Sequence, residues 1–194
     1  MHRLPLQQLP LTVKKMKKTQ SIAIGGLLTA FAVVVMMISN LMPSGMYTFP
    51  AVSGVIVYTA AITSGRSYSW LAYIAVSILS LFLCADKQAP LCFILFFGYY
   101  PLLKELIERI RLKAAAFLIK LLVFNAAGSV IWLLLTFVFS VPAEEFSVFG
   151  VDLPAVIIVI LNIAFLLYDL ALGMFFVRYK EKIYKLVTKL NKKY

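Results

Sequence analysis

Six apolar runs, at about residues 21–42, 49–65, 68–85, 90–108, 114–141 and 154–177, fill most of this 194-residue chain. Each is close to the roughly 20 helical residues that cross a hydrocarbon core about 30 Å thick. Hydrophobic residues make up 62% of the sequence and charged residues 14%. A soluble domain of this size has too little interior to hide so much apolar surface, so lipid must solvate it. The runs are too long for strands and lack period-two alternation, which leaves helices. The expected fold is an all-α integral membrane bundle of six transmembrane helices. Pro43, Pro50, Pro90, Pro142 and Pro154 fall at run ends, where a missing N–H costs little. Short loops join the runs, so the chain divides into a basic leader (1–20), one transmembrane domain (21–177) and a basic tail (178–194).

Charge orients the bundle. Arg3, Lys14, Lys15, Lys17 and Lys18 precede the first run, Arg66 follows the second, and Arg109, Arg111 and Lys113 follow the fourth. The tail carries Arg178, Lys180, Lys182, Lys185, Lys189, Lys192 and Lys193. The remaining loops hold Lys87 against Asp86, Glu144, Glu145 and Asp152. Basic loops alternate with acidic ones, as the positive-inside rule requires of six spans with both termini cytoplasmic. The net charge of +11 is then a topology signal, and nucleic-acid binding does not follow from it. The tail reads as a basic helix resting on anionic headgroups of the lipid bilayer. The leader lacks a cleavage site of small residues and is not expected to be a signal peptide.

Several chemistries are set aside. The single histidine, His2, lies in the leader, so no histidine triad or histidine metal site is expected. Cys84 and Cys92 read as two small hydrophobes, with pairing in an oxidising environment as the alternative. No glycine-rich phosphate loop is present. Neither an enzyme nor a bound cofactor or metal is expected.

Polar residues inside the spans are costly in lipid and become the candidates. Asn125, Ser129, Trp132 and Thr136 share one helical face of the fifth run, and Asn162 and Asp169 one face of the sixth. The asparagines either line a site or hydrogen-bond between helices. Asp169 is expected to pair with Lys120 or Lys104, which lie at similar depth; snorkelling of both lysines to the headgroups is the competing account. Pro101 removes the N–H that would bond the Phe97 carbonyl and disfavours helix at Tyr100. A kink is therefore expected at Gly98–Pro101, with the tyrosines turned inward and "KELIERIRLK" leaving as an amphipathic segment.

Six spans in under 200 residues, with both ends inside and a first helix opening "KKTQSIAIGGLLTAFAVVV", resemble the substrate-binding (S) component of an energy-coupling factor (ECF) transporter. "TSGRSYSWLAYIAVSILSLFL" is similar to that family's short inner turn and third helix, and "FILFFGYYPLLKELIE" to its fourth. The resemblance covers about residues 16 to 180. It implies that small residues on the first helix dock a transmembrane (T) subunit; the matching positions are Ala23, Gly26 and Ala30, with glycine where alanine is usual. It implies a vitamin or similar micronutrient bound near the outer surface, with Asn40, Ser44, Tyr47, Thr48, Lys87, Gln88, Asn125, Trp132 and Asn162 as candidate lining. It also implies two partner ABC ATPases and a bacterial cell membrane. If Lys87 faces the ligand, a carboxylate or phosphate is favoured; if it balances Asp86, nothing about the ligand follows. Two other classes remain open: a non-transporting scaffold similar to the rod-shape-determining MreD proteins, and a small autonomous carrier or exporter.

Overall fold

The computed structural model describes residues 18–42, 45–138 and 154–191, without side chains at 154–157 and 177–191. Within them every regular element is helical: α1 (Lys18–Ile38), α2 (Thr48–Ser64), α3 (Arg66–Leu83), α4 (Gln88–Cys92), α5 (Tyr100–Ile107), α6 (Lys113–Phe137) and α7 (Pro154–Asn191). Five stretches are long and apolar enough to cross a membrane: Lys18–Leu41, Arg66–Leu83, Gln88–Ile107, Lys113–Phe137 and Ile158–Phe176. The sixth apolar helix, α2, has 17 residues. At 1.5 Å per residue it is about 25 Å long, a few ångströms short of an average hydrocarbon core.

Helices α1, α2 and α3 form the tight half of the bundle. Ala32, Met36, Val57, Val76 and Phe93 are its centre, all essentially closed to solvent. Small hydroxyl residues let these backbones approach: Ser53 Oγ donates to the Ala32 carbonyl at 3.1 Å and Ser69 Oγ to the Val57 carbonyl at 2.7 Å. Such pairs suit helices that must satisfy polar groups among themselves. Gly65 makes the α2–α3 corner with φ +106°, a conformation that side chains disfavour, so α3 starts at the next residue.

The fourth apolar stretch breaks where expected, and the break has two parts. Phe93–Phe97 is a π-helical turn in which Gly98 N donates to the Phe93 carbonyl at 2.7 Å. A Gly98–Tyr99 turn follows, and α5 begins at Tyr100 with Pro101 in its first turn. Neighbours cover the disturbed backbone. Tyr73 Oη donates to the Ile94 carbonyl at 2.7 Å, and Gly54 on α2 presses against the Phe97 carbonyl that Pro101 leaves without its helical donor. Irregular backbone at this depth persists only with such cover. Tyr100 is fully buried, as expected, whereas Tyr99 is half-buried beside Tyr73.

Helices α6 and α7 run antiparallel and expose much of their apolar surface. Phe124 and Phe165 stack across their seam at 4.5 Å, beside an aromatic cluster of Phe96, Tyr100 and Tyr168. The last apolar run and the basic tail form one continuous helix to Asn191, with no break at residue 178. Leader residues 1–17, Pro43, Ser44, Pro142 and the acidic positions Glu144, Glu145 and Asp152 lie outside the described residues.

Candidate functional site

The densest polar constellation sits near the end of the bundle that carries Arg66, Arg109 and Arg111. The α5 break turns Lys104 into the interior, where it is 2% exposed. Its ammonium has three hydrogens and three acceptors: Asp169 Oδ1 at 2.5 Å, the Asp169 main-chain oxygen at 2.7 Å and Glu108 Oε1 at 3.1 Å. Lys120 reaches Asp169 Oδ2 at 2.9 Å and Glu108 Oε1 at 3.2 Å. Tyr100 Oη donates to Asp169 Oδ1 at 2.7 Å. Gly173, one turn after Asp169, lies beside this group: a Cβ there would be 3.7 Å from the Lys104 nitrogen, an ordinary contact distance.

The expectation of a pair with Lys120 or Lys104 is thus too small. Asp169 takes both, and Glu108 bridges them into a neutral group of two cations and two anions that ties α5, α6 and α7 together. Lys104 does not snorkel; an interior carboxylate holds it. Glu108 stands four residues after Lys104, a spacing that places both on one helix face and was readable in the chain. Tyr100 and Gly173 carried no comparable signal.

About two turns further along α7 the two asparagines meet. Asn125 Nδ2 donates to Asn162 Oδ1 at 2.9 Å, and Asn162 Nδ2 to Asn125 Oδ1 at 3.1 Å. Each amide also donates to the carbonyl one turn back, Leu121 at 2.8 Å and Ile158 at 2.9 Å. This is the interhelical hydrogen bonding weighed as the alternative to a site. Asn125 nonetheless stays exposed in the middle of a 25-residue apolar helix. Trp132, on the same face of α6, is 49% exposed.

The residues of the two short turns gather at the opposite end. Asn40 Oδ1 accepts from Asp86 N at 3.4 Å, and Asp86 Oδ1 accepts from Gln88 N at 3.0 Å. Lys87 donates to the carbonyls of Leu81 at 3.0 Å and Cys84 at 2.6 Å. It caps the C-terminal end of α3, where carbonyls lack helical donors and a cation is favoured. Two of the three Lys87 ammonium hydrogens are thus held by main-chain carbonyls. Tyr47 is half exposed at the start of α2. Burial and the nearby Asp86 push its phenol up to about 12, so it is neutral and able to donate. Cys84 and Cys92 are buried, free thiols.

The proposed docking positions Ala23, Gly26 and Ala30 are all exposed on α1. Gly26 and Ala30 line a groove of about 640 Å³ between α1 and α3, whose walls include Gly25, Tyr68, Ala72 and Ala75. A Cβ at Gly26 would meet no atom within 4 Å. Among the described residues no cluster of His, Cys, Asp or Glu is placed to hold a metal ion. No family model, no curated protein and no solved structure matches this chain.

Proposed function

We propose that this chain is the membrane-embedded substrate-binding subunit of an ECF-type importer in a bacterial cell membrane. It spans the bilayer six times with both termini inside and captures a vitamin or similar micronutrient from outside. A transmembrane partner driven by two ATPases completes delivery. The observation that carries the reading is the exposed small-residue face of α1, Ala23, Gly26 and Ala30, beside the α1–α3 groove. Small residues let a partner helix approach closely enough for dispersion contacts to accumulate along its length. The short α2 fits a six-span topology because modest mismatch is absorbed by tilt or local thinning at fractions of a kcal/mol per Å.

Two measurements test this. Native mass spectrometry of the purified protein should find a co-purified small molecule, and affinity purification from its host membrane should bring a transmembrane subunit with two ATPases. Cysteine labelling should find position 145 accessible from outside and positions 66, 111 and 185 only from inside. External labelling at 111 rules out the six-span arrangement.

A scaffold similar to MreD is the second reading. It is favoured by the mutual pairing of the two asparagines, whose amide hydrogens a ligand site would more often leave available. A scaffold binds no small molecule and co-purifies with wall-synthesis proteins.

A further inference from the structure

At Asn125, Ser129 and Asn162 the α6–α7 seam keeps free hydrogen-bond acceptors while every donor hydrogen of these three side chains is used. An asparagine amide nitrogen carries two hydrogens, and here all four are used. Asn125 gives its pair to Leu121 O and Asn162 Oδ1; Asn162 gives its pair to Ile158 O and Asn125 Oδ1. Ser129 Oγ, one turn further along α6, spends its only hydrogen on the Asn125 carbonyl at 2.9 Å. Each carboxamide oxygen accepts one described bond and keeps a second lone pair, and the Ser129 oxygen keeps its own. Flipping either amide would point its oxygen at a carbonyl, so the pattern is locked by the helices themselves.

Asn125 and Ser129 are exposed and Asn162 is partly buried in the middle of two apolar helices, where unpaired polar surface is expensive in hydrocarbon. Trp132 adds a half-exposed indole seven residues from Asn125, about 10 Å along the axis and on the same face. Helical side chains lean toward the N-terminus, which brings Trp132 toward Ser129, one turn back. Acceptor oxygens with an aromatic side chain on the same helix face suit an amine or hydroxyl group carried on a small ring.

We propose that the seam of Asn125, Ser129 and Asn162, with Trp132 on the same face, recognises the hydrogen-bond-donating part of the ligand, an amine or hydroxyl, in preference to carboxylate and phosphate. The inference rests on the substrate-binding reading and narrows its substrate class. Acceptors left without a donor away from water are what make such a site selective against the wrong group.

The chain holds two tryptophans, so Trp70→Phe leaves Trp132 as the only indole reporter. The full-length variant in phosphatidylcholine nanodiscs is titrated with benzylamine, benzyl alcohol and benzoate. Both donor probes should change Trp132 emission saturably, and benzoate should need at least tenfold more. Preference for benzylamine over benzyl alcohol identifies an ammonium; the reverse identifies a neutral hydroxyl. Asn125→Leu should weaken the donor probes about tenfold, which separates the seam from partition into lipid. Should that variant fail to fold, Asn125→Asp serves instead and should tighten benzylamine about tenfold. Asn162→Ala frees one Asn125 N–H and should shift the ratio toward benzoate by about tenfold. Benzoate binding as well as the donors, or no saturable response from either donor in the folded protein, overturns the proposal. Capture of a partner subunit is read separately. Its absence alongside a clear donor preference sinks the importer reading and leaves the seam standing.

Discussion

Gly54 on α2 lies against the main-chain carbonyl of Phe97, so close that a Cβ at position 54 would overlap the oxygen. The two positions are one device. Pro101 takes away the N–H that a continuous helix would offer that carbonyl, and the hydrogens of a glycine Cα are the smallest surface that can cover it. Gly54→Ala should therefore destabilise the protein by about 2 kcal/mol, because backbone rather than a flexible side chain must yield. Adding Pro101→Ala restores a donor to Phe97 and lets the segment shift, so the double variant should lose less than Gly54→Ala alone. Thermal unfolding in detergent measures both. Equal losses would mean the two sites are independent.

The charged group at α5–α7 makes a stronger demand. Asp169→Asn leaves Lys104, 2% exposed, sharing the single carboxylate of Glu108 with Lys120. Removing one partner of a buried pair costs about 3–5 kcal/mol, whereas replacing both with apolar groups is often close to neutral. Lys104→Met with Asp169→Leu should thus melt higher than Asp169→Asn. Ligand affinity, read at the far asparagine seam, should stay nearly unchanged in Asp169→Asn. A loss of binding as large as that from Trp132→Ala would move the site toward Asp169 and favour an ion-coupled carrier.

Cys84 gives a pH prediction outside the apolar helices. Burial, the largest influence, pushes its thiol above the ordinary cysteine value, against smaller opposing pulls from Asn40 and Lys87. A raised pKa leaves the neutral thiol dominant near pH 7, and the thiolate is the reactive form. Maleimide labelling at Cys84 in a Cys92→Ala variant should be slower than an exposed cysteine at pH 7. The rate should still be climbing above about pH 10, where an ordinary thiol is almost fully ionised. A plateau already reached by about pH 10 would show the thiol to be unperturbed.

The α1 face separates fold from coupling. Gly26 has open space where a side chain would begin, while at Gly25 the first side-chain carbon would already touch Tyr68 Cβ at 3.9 Å. Gly26→Trp should express and melt within about 0.5 kcal/mol of the parent, the usual range for surface changes. It should still abolish partner capture and uptake. Gly25→Trp should lose stability first. Retained uptake in Gly26→Trp would remove this face from the docking surface.

The chain by itself determined the helices and their environment. Apolar runs of membrane length admit only elements that close their own backbone hydrogen bonds, and Pro101 and Gly98 marked the break because a missing donor is local chemistry. The pairing of a buried lysine with Asp169 was likewise readable, since an isolated charge at that depth is too costly to leave alone. Tertiary structure alone decided the partners. Glu108 joining two lysines, Gly54 covering Phe97, and Tyr100 reaching Asp169 all depend on which helices touch and at what register, which one-dimensional spacing does not contain. The asparagines show the same division. Their depth followed from counting residues along α6 and α7. Only the antiparallel register that sets Asn125 opposite Asn162 turned two amphoteric amides into a surface that accepts hydrogen bonds and does not give them.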